Sequence, residues 1–131
     1  MNLIELNIFF CKLKNASLKK KLFFFFRASK DLEKILKNLQ KIHFITGFGY
    51  LKDKTNFQIF LRYDTTGSSV IKQIENVSSS GHRIIINKQK VKTFLNNYPY
   101  STAIIKTSQG MLNIQECFNR RIGGELLVYI H

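Results

Sequence analysis

Residue types that commonly form chemical sites are scarce in this sequence. Among 131 residues there are two cysteines, three histidines, eight acidic residues and no tryptophan. Cys11 and Cys117 are too far apart for a disulfide framework or a zinc site, so we expect both to be buried small hydrophobic residues in a reducing compartment. The histidines lack ligand spacing, and no nucleophile-elbow, P-loop or paired-carboxylate signature is present. The sequence therefore predicts that the protein is not an enzyme and holds no metal or cofactor.

Long apolar runs and targeting signals are also lacking. Leu22–Phe26 has five apolar residues, whereas a bilayer span needs roughly 20. The run Leu22–Phe26 instead predicts a strand that is buried on both faces. Residues 1–10 contain Glu5 and no basic run, which argues against both a secretory signal and a transit peptide. We expect no membrane partner.

The abundant residues indicate a polyanionic partner. The chain is 44% hydrophobic, enough to bury a core, and its net charge is +13 with a pI near 10.0. Such a charge favours nucleic acid, although lysines can also serve solubility alone. The richness in Phe, Ile, Lys and Asn, whose codons are AT-rich, indicates an organelle-encoded gene. We expect a mitochondrion, with a plastid or a bacterial cytoplasm as alternatives.

The stretch from Thr107 to Glu125 has the densest pattern of polar and glycine residues. A β-branched run, Thr102–Lys106, predicts a strand before it. Thr107 and Ser108 then present hydroxyls, and Gly110 permits a turn. The sequence predicts that this turn binds a polyanion.

A short helix and a last strand follow this turn. Asn113, with a glutamate three residues later, has the form of a capping box. Arg120 and Arg121 fall near the C-terminus of the helix, where cations suit its dipole. The pair Gly123–Gly124 is expected to end the helix before Glu125 opens the strand.

This pattern resembles the family of ribosomal protein eight of the small subunit. Thr-Ser-x-Gly, about a dozen residues, then Gly-Gly-Glu and an apolar strand are shared with it. The family turn usually has Ser-Thr-Ser-x-Gly, and Lys106 replaces the first serine here. The resemblance covers most of the chain and is most specific over its C-terminal third. It implies binding to an internal loop in the central domain of small-subunit ribosomal RNA. The expected partners are this RNA and neighbouring ribosomal proteins, with no small-molecule substrate and no homo-oligomer.

Three other segments are similar to the same family. Lys12–Ala16 is similar to the basic end of its first helix, and Ser29-Lys30 to the start of its second. Ser78–Arg83 matches a Ser-x-Pro-Gly-x-Arg turn, except that Ser80 replaces the proline. Ile85 stands where the family often has an aromatic residue, so stacking on RNA at that position is in question.

The spacing along the chain predicts an α+β fold of two lobes. The first, residues 1–65, should contain a helix to about Asn15, a strand, a helix capped by Ser29, and strands at Phe44–Tyr50 and Phe57–Tyr63. The second, residues 66–131, should hold a small antiparallel sheet with short helices, one of them capped by Asn87. The polar segment Asp64–Ser69 marks the predicted boundary.

The second helix should carry four lysines opposite its apolar face. They are Lys30, Lys34, Lys37 and Lys41. Two interpretations of this row of lysines are about equally good: a solvent-exposed face that binds nothing, and a face that contacts RNA.

RNA binding is expected from hydroxyls, amides, cations and close-packed glycines, mainly in the C-terminal lobe. The predicted RNA-binding residues are Lys12, Lys14, Asn15, Lys30, Lys34, Lys37, Ser80, Arg83, Thr107, Ser108, Gln109, Gly110, Arg120, Arg121, Gly123, Gly124 and Glu125.

Two other functions fit the charge. A free-standing RNA-binding regulator would have the same composition without joining a ribosomal subunit. A small nuclease would use His82 or His131 with a carboxylate, but no site chemistry stands at motif spacing.

Overall fold

The chain divides into two compact units, Met1–Lys72 and Gln73–His131, hereafter unit 1 and unit 2. The computed structural model describes residues 3–77, 81–98 and 101–131. Each unit combines helices with an antiparallel sheet, which confirms the predicted α+β class. The division lies a few residues after Asp64–Ser69.

Unit 1 has the predicted order of helix, strand, helix, strand, strand. Its elements are α1 (Leu3–Leu18), β1 (Phe23–Arg27), α2 (Lys30–Lys41), β2 (Ile45–Tyr50) and β3 (Asn56–Leu61). β3 lies in the centre of the sheet and pairs antiparallel with both other strands. Helix α1 continues beyond Asn15, where it was expected to end.

Helix α2 forms as its sequence predicts. The side chain of Ser29 accepts a hydrogen bond from the Leu32 backbone amide at 3.1 Å, which satisfies a donor that the first turn leaves unpaired. The apolar face is buried through Leu32, Ile35, Leu36 and Leu39. The four lysines lie on exposed positions, as expected.

Two burial predictions for unit 1 were wrong. Strand β1 is not buried on both faces: Phe24 is buried, but Phe23 and Phe25 are 38% and 48% exposed. The aromatic ring of Phe9 on α1 packs against Phe24 and against Phe26, with centroids 6.0 and 5.3 Å away, so the helix covers that face. Phe23 and Phe25 alternate onto the other face.

Cys11 is exposed, contrary to expectation. The buried positions of α1 include Leu6, Phe9, Phe10 and Leu13. At 100° per residue, Cys11 falls off the stripe that these positions define.

In its described residues, unit 2 has a five-stranded antiparallel sheet and two helices. Its elements are β4 (Ile74–Asn76), β5 (Ile85–Ile86), α3 (Lys88–Asn97), β6 (Thr102–Thr107), β7 (Gly110–Asn113), α4 (Ile114–Arg120) and β8 (Gly124–Ile130). The strand order is β4-β8-β6-β7, and β5 also pairs with β8. Asn87 caps α3 by accepting from the Lys90 amide at 2.9 Å, as predicted.

Two strand predictions in this unit need correction. The sequence of Val70–Val77 predicts a weak strand, and the structure has one only at Ile74–Asn76. Strand β7 was missed because Gly110–Asn113 is four residues long and shows no polar–apolar alternation.

One face of this sheet forms a core with α3 and α4. Its buried residues are Ile86, Val91, Ala103, Ile105, Leu112, Ile114 and Cys117. The predicted burial of Cys117 is confirmed, and burial, reinforced by the nearby Glu116 carboxylate, raises the pKa of its thiol to about 11. This cysteine is a core residue in the thiol form at neutral pH.

Candidate nucleic-acid interface

The turn between β6 and β7 is held by the Thr107 side chain. Its hydroxyl donates to the Gly110 carbonyl at 2.9 Å and accepts from the Gln109 amide at 3.1 Å. Gly110 has a φ of +102°, a conformation that favours glycine. Because the Thr107 hydroxyl is engaged inside the turn, its main effect is to fix the turn, whereas Ser108 at the tip is exposed.

Helix α4 is connected to this turn through Arg120. The guanidinium Nη1 donates to the Gln109 side-chain oxygen at 2.7 Å, and Nη2 lies 4.0 Å from the Glu116 carboxylate. Asn113 caps the helix as predicted, accepting from the Glu116 amide at 2.8 Å. A cation at the end of the helix is thereby fixed beside the tip of the hairpin.

The helix ends at Arg120 with Arg121 as its cap, before the two glycines are reached. Arg121 itself takes the left-handed conformation, with a φ of 56°. The glycines are needed for close packing instead: a Cβ on Gly123 would lie 2.3 Å from the Ile86 carbonyl oxygen, and one on Gly124 would lie 2.3 Å from the Lys106 carbonyl oxygen. They let the start of β8 lie close to its neighbours.

A cross-strand row of four paired residues lies beside the turn. Ile85 pairs with Glu125, Glu125 with Lys106, and Lys106 with Met111, so these four side chains project from one face. Arg83 Nε lies 3.9 Å from Glu125 Oε1. The Arg83 side chain is 71% exposed and that of Glu125 only 14%. The arginine is thus available to a partner, and a recessed carboxylate lies within ion-pair distance of it.

The polar residues around this turn, exposed or partly exposed, are called the hairpin surface. It comprises Arg83, Lys106, Thr107, Ser108, Gln109, Arg120 and Glu125. Lys106 and Ile85, two of the three departures from the family pattern, both lie in the cross-strand row.

The other predicted site residues lie elsewhere in the chain. Lys12, Lys14 and Asn15 are exposed on α1, and the Lys12 ammonium lies 5.2 Å from the centre of the Phe26 ring. On α2, Lys37 is 3.4 Å from the Glu33 carboxylate, one turn away. Ser80 lies outside the described residues.

Sequence reasoning missed a second group of exposed residues in unit 1. Lys19 and Lys21, together with Phe23 and Phe25, line a groove of about 460 Å³ beside α1. Period-2 spacing of the two phenylalanines could have indicated a shared face, had the run not been assigned two buried faces.

Within the described ranges, no helix is long and apolar enough to cross a membrane. Nor does any group of three His, Cys, Asp or Glu residues there stand close enough to hold a metal ion. The fold and the hairpin surface define a basic α+β protein whose exposed features suit binding.

Comparison with known proteins identifies the family. The model of the family described as ribosomal protein S8 matches residues 5–131. Small ribosomal subunit protein uS8 of Campylobacter lari is 34% identical over 104 residues, 78% of this chain and 78% of that protein. The same-named protein of Thermodesulfovibrio yellowstonii is 32% identical over 105 residues, 79% of each chain. That of a Sulfurovum species is 37% identical over 78 residues, 60% of this chain and 58% of that protein.

The chain belongs to the ribosomal protein S8 family. The predicted family is therefore confirmed, and with it the prediction of a structural ribosomal protein of the small subunit that acts in translation and is not an enzyme. Membership implies ribosomal RNA and small-subunit proteins as partners.

Proposed function

We propose that the protein binds the central domain of small-subunit ribosomal RNA through the hairpin surface and supports assembly of that domain. The observation that carries this proposal is the convergence of the hydroxyl turn, the Arg120 guanidinium and the Arg83–Glu125 pair around one hairpin. Their fixed geometry suits recognition of RNA shape, for which hydroxyl and phosphate contacts are typical.

The groups of the hairpin surface have complementary roles. Arg83, Lys106 and Arg120 place positive charge where phosphates approach, and the release of counterions favours binding. Ser108 offers one donor and acceptor at the tip. The recessed Glu125 carboxylate accepts from a ribose hydroxyl or a base amino group, and it discriminates against a phosphate in the same position.

The proposal also assigns RNA contacts to other predicted residues, most of them in unit 1. Lys12, Lys14 and Asn15 on α1 and Lys30 and Lys34 on α2 are exposed. They contribute sequence-independent affinity to phosphates. Gly123 and Gly124 contribute by keeping β8 close to β5 and β6, so that Glu125 stands beside Lys106.

The proposed location is a mitochondrial ribosome, supported by the abundance of Phe, Ile, Lys and Asn. The relatives named above are bacterial, and they indicate a ribosome without specifying an organelle. Sedimentation of a mitochondrial lysate at high salt tests both parts of the proposal. The protein should migrate with the small subunit, whereas a free-standing regulator would stay near the top of the gradient.

Binding to the central domain is tested with the purified full-length protein. It should bind a transcript of that domain more tightly than a duplex of equal length at one salt concentration. Ser108→Ala should reduce that preference. Equal affinity for both RNAs would reject the hairpin surface as a specific site.

A further inference from the structure

The sheet of unit 1 has an exposed face that the hairpin surface does not explain. Phe23 pairs with Phe60, and Phe60 with Gly47; in the next row Phe25 pairs with Gln58, and Gln58 with Gly49. Directly paired residues project on the same side of a sheet. This side, the aromatic face, comprises Phe23, Phe25, Phe60, Gln58, Gly47 and Gly49.

The three rings of the aromatic face are accessible. Phe23, Phe25 and Phe60 are 38%, 48% and 40% exposed. The ring of Phe23 lies 5.4 Å from that of Phe25 and 5.9 Å from that of Phe60, measured between centroids, so the three form one cluster.

The two glycines leave one side of this cluster open. A Cβ on Gly49 would meet no atom within 4 Å, and one on Gly47 would meet only the Gln40 side-chain nitrogen at 3.8 Å. Neither glycine has a positive φ. Packing and backbone conformation therefore do not require glycine at these two positions. Because glycine has no side chain, β2 leaves the space beside Phe60 and Gln58 uncovered.

A basic groove adjoins the aromatic face at the edge strand. The groove of about 460 Å³ between α1 and β1 is lined by Lys12, Lys19 and Lys21 as well as by Phe23 and Phe25. The backbone before β1 is fixed, because the Tyr63 hydroxyl donates to the Lys21 carbonyl and the Leu61 amide donates to the Leu22 carbonyl at 3.0 Å. Cations and rings thus share one rigid edge.

We propose that the aromatic face binds the bases of a single-stranded RNA segment whose phosphates lie in the lysine-lined groove. The apolar residues on this face are all aromatic, and the three strands contain no acidic residue. Rings, an amide side chain and adjoining cations are the components of a surface that stacks bases. A protein-docking face would use aliphatic contacts equally well. The ligand class rests on the proposed RNA-binding function, but the residues of the aromatic face are not those of the hairpin surface.

Binding of an oligonucleotide by the full-length protein tests this proposal. The probe is a fluorescently labelled single-stranded uridine decamer, followed by anisotropy. The double variant Phe25→Leu and Phe60→Leu keeps apolar bulk but removes the ring faces, and its affinity should fall about tenfold or more. An abasic decamer should bind wild type and variant equally, because it presents phosphates alone.

Matched variants separate this site from the proposed ribosomal one. Phe118→Leu changes an aromatic residue of similar exposure, 41%, on α4 and should leave decamer affinity unchanged. The sheet variant should keep its affinity for the central-domain transcript, and Ser108→Ala should keep its affinity for the decamer. Melting curves should overlap for all variants.

Three results would overturn the proposal. The first is unchanged decamer affinity in the sheet variant. The second is that the wild type binds the abasic decamer as tightly as the uridine decamer. The third is an equal loss of decamer affinity in Phe118→Leu. Unchanged decamer affinity with impaired incorporation into the subunit would assign the face to a protein neighbour instead.

Discussion

The hairpin surface and the aromatic face present different chemistry on sheets of similar construction. The hairpin surface is polar and is fixed by directional bonds, such as that from Arg120 to Gln109 at 2.7 Å. The aromatic face has rings with 38–48% exposure and an open margin of glycine. A network of directional bonds suits one RNA shape, whereas ring faces accept any base.

Their glycines show the same difference. Gly123 and Gly124 lie where any Cβ would overlap a neighbouring carbonyl oxygen. A Cβ on Gly49 would meet no atom within 4 Å, and one on Gly47 would make only an ordinary contact with the Gln40 side chain at 3.8 Å. A glycine can therefore serve packing in one sheet and leave a surface bare in the other, and sequence alone does not distinguish these roles.

The largest expected effect comes from Gly124→Ala. The added Cβ would lie 2.3 Å from the Lys106 carbonyl oxygen and 3.1 Å from an Ile105 methyl group. Strands β6 and β8 would have to separate, which should lower the free energy of unfolding by about 3 kcal/mol. Thermal unfolding measures the change.

Gly49→Ala is the matched control in unit 1. It adds the same methyl group to a strand position with nothing within 4 Å, so the free energy of unfolding should stay within about 0.5 kcal/mol or rise slightly. Similar losses in both variants would mean that the two glycines do not differ in role.

The next prediction is that the two hydroxyls of the turn differ in their effects on stability and on RNA affinity. Thr107→Ala removes the bonds to Gly110 and Gln109, so it should lower the free energy of unfolding by about 1 kcal/mol and weaken binding as well. Ser108→Ala should change unfolding by less than about 0.5 kcal/mol, yet reduce affinity for the central-domain transcript by about 1–3 kcal/mol.

Calorimetry and RNA titration at one salt concentration measure both quantities. The ratio of binding loss to stability loss should be higher for Ser108→Ala. If Ser108→Ala affects stability alone, the tip of the hairpin does not contact RNA.

Much of the fold follows from local signals in the sequence. Ser29, Asn87 and Asn113 each cap a helix as predicted, because a cap is decided by a few adjacent residues. The helical spacing of apolar residues in α2 likewise predicted both the helix and its buried face.

The errors concern contacts between distant segments. The five-residue run Leu22–Phe26 does not show that α1 covers only one side of β1. Likewise, Thr107 and Ser108 look equivalent in sequence, and only the folded turn shows that one hydroxyl is engaged.

The two cysteines extend the comparison to reactivity, with no change in stability expected. Cys11 is exposed in unit 1, whereas Cys117 is fully buried in unit 2 with the pKa of its thiol raised to about 11. Since the thiolate is the reactive form, a disulfide reagent at pH 8 should titrate one thiol in the native protein and two after denaturation. In Cys11→Ser the native count should be zero. A native reaction at Cys117 would show that the α4 core opens readily.

The smallest effect is expected from the lysines of α2. Lys34, Lys37 and Lys41 are exposed, and Lys37 loses only an exposed pair with Glu33 when it becomes Gln. The triple change Lys34→Gln, Lys37→Gln and Lys41→Gln should therefore alter the free energy of unfolding by less than about 0.5 kcal/mol. If these residues meet phosphates, the slope of log affinity against log salt should shrink by about 0.7–0.9 per contact, with preference among RNAs unchanged.

The control removes the same charge from α3, by Lys88→Gln, Lys90→Gln and Lys92→Gln. A shrinkage confined to the α2 variant would place RNA along that helix, an equal shrinkage would show an effect of net charge alone, and an unchanged slope would leave the stripe as a solvated face.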